Sequence, residues 1–99
     1  MLTYHTQGEV IYWKFVDYTP PKSKEIGTLF SKLSGYTLSA TPYASSFAGL
    51  KDWFIQNYNK PGYTIEVGLG TNPIPISQFD KIYSDNIGIL TNAAIITSN

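Results

Sequence analysis

One carboxylate, Glu66, interrupts the apolar run of "GYTIEVGLGTN", residues 62–72. An unpartnered buried charge is expensive, so this side chain must face either solvent or a cleft. In a strand the side chains alternate, and Thr64 then shares a face with Glu66. The plain reading is an outward-facing strand residue. The other reading is a carboxylate that faces a cleft instead of the core. The chain has a single histidine, His5, and no cysteine. A catalytic zinc takes about three protein ligands and an open position. One histidine does not meet that need, and stray carboxylates such as Glu9 or Asp17 substitute for it poorly. All seven basic residues are lysines. Without arginine, no guanidinium fork can grip a carboxylate or phosphate in bidentate fashion. Gly68 and Gly70 form a GxG, but no GxGxxG or lysine–serine pair follows, so they read as turn glycines.

The rest of the composition narrows the classes. The 99 residues suffice for one domain. Hydrophobic residues make up 42% and charged residues only 14%, so a core is possible and the surface is sparsely charged. Lysines balance acids at 7 each, which gives no electrostatic case for nucleic acid or an anionic membrane. No apolar run reaches the length of a membrane span. "MLTYHTQGEV" lacks the basic and apolar regions of a signal peptide. The compartment stays open between cytoplasm and cell wall.

The elements that must position these residues follow from periodicity. "EVIYWKFV", 9–16, is dense in β-branched and aromatic residues and predicts a strand covered on both faces. Ile26, Leu29, Phe30 and Leu33 recur at helical spacing, with Ser34-Gly35 as the stop. Residues 36–49 predict a short strand and then a long loop, of the kind that is often functional. Leu50, Trp53, Phe54 and Tyr58 mark a second helix, with Trp53 expected to pack on the sheet. Residues 63–68 predict the strand bearing Glu66. Ile76, Phe79, Ile82, Tyr83, Ile87 and Leu90 predict a longer third helix, weakened locally by Gly88. The order implies an α/β fold, its strands largely parallel and its helices on both faces. Two or three strands make a sheet with open edges, which suggests self-association.

Four segments in order resemble one family. "HTQGEVIYW" (5–13), "GLKDWF" (49–54), "PGYTIEVG" (61–68) and "NPIPISQFDKIYSDNIGIL" (72–90) are similar to the C-terminal part of zinc carboxypeptidases. The nearest branch looks like the bacterial γ-D-glutamyl–diaminopimelate peptidases, which cut cell-wall peptides. The resemblance implies an α/β/α sandwich on a mixed sheet, with residues 1–99 as a single partial domain. It implies that His5 is a zinc ligand, that Glu66 is the general base, and that Tyr43 is the tyrosine that contacts substrate. It places Lys51, just before the Asp-Trp pair, at the pocket for the substrate side chain. There an ammonium would suit the second carboxylate of diaminopimelate; the plain reading is a solvated helix lysine. The sequence departs from the family in three ways. It has no HxxE motif, it lacks the family's arginines, and Tyr43 lies one residue farther from Trp53 than in animal members.

The expected function is therefore that of a C-terminal segment of a zinc metallopeptidase acting on peptidoglycan peptides. The expected partner is a missing N-terminal half, without which the chain would be inactive. The alternatives are a cell-wall peptide-binding module without catalysis and a self-associating α/β module.

Overall fold

The computed structural model describes residues 1–42 and 49–97. Four short strands form one mixed sheet in the order β1-β4-β2-β3, with three α-helices among the described residues. The strands are β1 (Leu2–Thr6), β2 (Val10–Tyr12), β3 (Thr37–Ser39) and β4 (Tyr63–Val67). The helices are α1 (Ser23–Ser34), α2 (Leu50–Tyr58) and α3 (Phe79–Thr97). The fold is mixed α/β, as the order of periodic segments implies. β1 runs parallel to β4 and β2 parallel to β3, whereas β2 and β4 are antiparallel.

Two strands differ from the sequence-based expectation. β1 is unannounced by any apolar run; its residues alternate in a polar sequence, and backbone pairing to β4 makes it a strand. The strand expected over 9–16 shrinks to Val10–Tyr12. Glu9 at φ 56 and Val16 at φ 47 leave the extended region. Phe15 and Tyr18 then close a turn through paired backbone hydrogen bonds, which diverts the chain out of the sheet.

Alternation sorts the sheet into two faces. Tyr63, Ile65 and Val67 of β4 join Ile11 on the core face, against Phe30 of α1, Tyr36 and Ile89 of α3. Ile11, Ile65 and Ile89 are completely buried. The Tyr63 hydroxyl donates to the Ser23 carbonyl at 2.6 Å, tying β4 to the start of α1. α1 ends where the sequence predicts, at Gly35, whose φ of 80 lies in the left-handed region that favours glycine. Gly68 turns the chain after β4 at φ 77, and a Cβ there would lie 2.3 Å from Ile74 Cδ1.

α3 begins three residues later than its periodicity suggests, after a 3-10 turn over Ile76–Gln78, and continues well beyond Leu90. It is tied to the turn between β1 and β2 by charge. Lys81 Nζ donates to Glu9 Oε2 at 2.8 Å and to Asp85 Oδ2 at 2.7 Å. Asp85 also accepts from the Tyr36 hydroxyl at 3.1 Å. Burial, chiefly, pushes that phenol up to about 12, so it stays a donor at neutral pH.

Candidate functional site

The candidate residues of β1 and β4 lie on the second face of the sheet. β1 and β4 run parallel in a register that sets His5 beside Glu66. Glu66 is also paired with Val10 of β2, so its strand is flanked on both sides. One step along the strands, Thr3 and Thr64 face each other, their hydroxyl oxygens 3.1 Å apart. A cleft of about 270 Å³ opens over this row, bounded by His5, Tyr12, Thr41, Leu50, Lys51, Thr64 and Glu66. Sixty residues separate His5 from Glu66 in the chain, and the parallel register alone brings them together.

Glu66 is half-buried, and its Oε2 is fully buried without a hydrogen-bond partner. Such an atom costs the fold free energy, and a site that uses the carboxylate explains why it is kept. Burial raises the Glu66 carboxyl above the usual carboxylate range, and the charge of His5 acts in the opposite direction. A carboxylate so placed holds a proton better than an exposed one.

Among the described residues, no group of three His, Cys, Asp or Glu side chains could hold a metal ion. His5 is exposed and offers a single imidazole. Glu9, considered above as a stray ligand, is instead engaged by Lys81. Asp17 lies in the exposed turn between Phe15 and Tyr18. A zinc site with His5 as one donor needs further donors from outside the described residues. Tyr43 also lies outside them; its neighbour Pro42 and the later Gly49 border the cleft.

Lys51 departs from the plain expectation of a solvated lysine. Its side chain is only 3% exposed and Asp52's only 5%. The ammonium donates to Lys14 O at 2.7 Å, Thr41 Oγ1 at 2.9 Å and Asp52 Oδ1 at 2.5 Å. Burial lowers its pKa, and the Asp52 carboxylate acts the other way. Trp53 also departs from expectation. The buried face of α2 is made of Lys51, Asp52 and Ile55, which turns Trp53 outward. It is 53% exposed and packs edge-on against Tyr58, with ring centroids 5.7 Å apart.

Sequence reasoning missed Tyr12 and Thr41 at this cleft, and Thr3, whose hydroxyl meets that of Thr64. The signal for Thr3 was available once β1 is known to be a strand, since Thr3 and His5 alternate onto one face. Thr41 carries no signal of its own, because its partners come from two distant segments.

No protein-family model matches the chain. No solved structure matches it. It is 52% identical over 89 residues to Gamma-D-glutamyl-L-diamino acid endopeptidase 1 of Lysinibacillus sphaericus, covering 90% of this chain and 22% of that protein. The chain is homologous to a bacterial endopeptidase. It is also 44% identical over 93 residues to the uncharacterized protein YqgT of Bacillus subtilis (strain 168), covering 94% of this chain and 25% of that protein. It thus spans about a quarter of the length of the curated relatives it matches.

Proposed function

We propose that the chain forms the base-bearing part of a zinc carboxypeptidase-like site that hydrolyses the γ-D-glutamyl–diaminopimelate bond, or a related amide, in peptidoglycan peptides. The observation that carries this reading is the in-register pairing of His5 with Glu66 over a cleft, with Glu66 Oε2 unpartnered. The homology to a γ-D-glutamyl-L-diamino acid endopeptidase supports the choice of bond. A zinc held by His5 and by donors outside the described residues would polarise the carbonyl and acidify water. The proton work falls to this chain. Water attacks the γ-carbonyl carbon while Glu66 takes one of its protons. Glu66 then returns that proton to the leaving nitrogen as the C–N bond breaks, which regenerates the carboxylate. Tyr43, by the family resemblance, contacts the substrate.

The test is a graft. The 99 residues replace the matching segment of the Lysinibacillus endopeptidase, and zinc-dependent release of diaminopimelate from a γ-D-glutamyl–diaminopimelate peptide is measured. The graft is expected to turn over, and Glu66→Gln in it to lower the rate about 10²–10⁴-fold. A Glu66→Gln graft as fast as its parent would reject the assignment. The chain alone is expected to show no turnover above its own Glu66→Gln control.

A second reading, a self-associating module, is favoured by one observation. Phe79, Tyr83, Ile87 and Leu90 form an exposed apolar stripe along α3.

A further inference from the structure

We infer that Lys51 is a positioning residue, whose buried ammonium clasps Thr41 and the Lys14 carbonyl and so holds part of the wall of the cleft that Glu66 also lines. It does not serve as a positive charge offered to the substrate. The inference rests on the reading of the His5–Glu66 cleft as a peptide site, and it changes how that site would choose its ligand.

An ammonium has three protons to donate and no acceptor capacity. Each Lys51 proton has an acceptor inside the protein: Lys14 O, Thr41 Oγ1 and Asp52 Oδ1. Thr41 Oγ1 itself donates to Lys14 O at 3.0 Å, so the three groups close a ring in which every hydrogen has a place. A substrate carboxylate would have to displace one of these bonds and face the Asp52 carboxylate beside it. Charge adds to that cost. Lys51 and Asp52 are a buried pair of opposite sign, so the ligand meets a nearly neutral unit.

The position of the clasp explains its use. Lys14 follows β2, Thr41 follows β3, and Lys51 stands in the first turn of α2. A cation there is opposed by the helix dipole, which favours Asp52 instead. Only a strong local set of acceptors makes the placement stable. The clasp therefore fixes three chain segments relative to one another at the mouth of the cleft. Thr41 and Leu50, which border the same cleft as Glu66, are carried by two of them. With Lys51 committed, the polar side chains among the described residues that border the cleft and remain to meet a ligand are Tyr12, Thr64, His5 and Glu66.

The 99-residue chain serves for the test, as wild type, Lys51→Arg, Lys51→Met and Thr41→Val. Lys51→Met strands the Asp52 carboxylate. Thr41→Val leaves the ion pair whole and decides the matter if Lys51→Met does not fold. Two probes are titrated by NMR: γ-D-glutamyl–meso-diaminopimelate, and γ-D-glutamyl–L-lysine, which lacks the second carboxylate. Lys51→Met and Thr41→Val are expected to weaken both probes by the same factor, about tenfold for loss of a charged hydrogen bond. Lys51→Arg is expected to restore part of that loss for both. A loss confined to the diaminopimelate probe would overturn the inference, since it would make Lys51 a reader of charge. If wild type binds neither probe, the peptide-site reading fails, and amide resonances of the free chain judge the clasp. Shifts at Gly49, Leu50 and Lys51 in Thr41→Val, with Ile65 and Ile89 unmoved, support it; unchanged resonances at Gly49, Leu50 and Lys51 refute it.

Discussion

An ionised Glu66 is a cost to the folded chain, because one of its oxygens is buried without a partner and burial has raised its pKa. The sign of the pH effect follows. With the folded pKa above the unfolded one, the native state binds more protons between the two values, so stability falls as pH rises through that window. Glu66→Gln removes the ionisation and keeps the shape. The variant is expected to be more stable than wild type at about pH 7, with the gap closing by about pH 4, below both carboxylate values. Urea melts at the two pH values measure it, and a gap that is equal at both would show that burial is not the cause. At this scale the sequence is partly legible. Alternation puts Glu66 on a face with Thr64, and the family resemblance pairs it with His5. The burial of Lys51 is not legible, since its three acceptors come from residues 14, 41 and 52 and no local pattern brings them together.

α1 packs on β3 and β4 at Gly27 and meets α3 at Gly88, and the same substitution is expected to act oppositely at each. In α1, a Cβ on Gly27 would lie 2.8 Å from Leu38 Cδ1 and 3.2 Å from Tyr63 Cε1. Leu38 can give a little, but the Tyr63 ring is fixed by its hydrogen bond to Ser23. Alanine gains about 1 kcal/mol in helix propensity and loses about 1–3 kcal/mol to overpacking. Gly27→Ala is therefore expected to destabilise by about 1 kcal/mol. In α3, a Cβ on Gly88 would meet only the Leu33 side chain, at 3.6 Å or more, an ordinary contact. Gly88→Ala is expected to stabilise by about 0.5–1 kcal/mol. Chemical denaturation of both variants checks the pair, and the same sign for both would show that packing against β3 and β4 does not set the place of α1. The helices themselves are readable from their apolar spacing, and Gly35 from its stop signal. β1 is not, because an edge strand of polar alternation depends on its partner, and that partner lies sixty residues away.

The whole molecule leaves much of its apolar surface outside. Phe79 and Tyr83 are each 57% exposed, and they continue along one face of α3 through Ile87 and Leu90. The charges of α3 are Asp80, Lys81 and Asp85, so nothing charged follows them for the last three turns of the helix. α1 adds Leu29 and Leu33 beside this stripe, both more than a third exposed. Contiguous apolar patches of this kind mark contact surfaces. The edges of the sheet, β1 and β3, offer a second route, since each has one unpaired side in the sheet order. The two routes separate by experiment. If the α3 stripe joins copies of the chain, sedimentation velocity is expected to show a rising mass between about 10 and 500 μM, near the range where weak contacts form. Tyr83→Lys with Ile87→Lys is then expected to keep the chain monomeric, because two ammonium groups cannot be buried unpaired at such a contact. Association that survives both lysines, and is lost when proline replaces Tyr4 in β1, whose N–H the register turns to the open edge, would assign it to the strand edge instead. A chain monomeric across the whole range would remove the self-associating reading and leave the cleft as the feature that explains the fold.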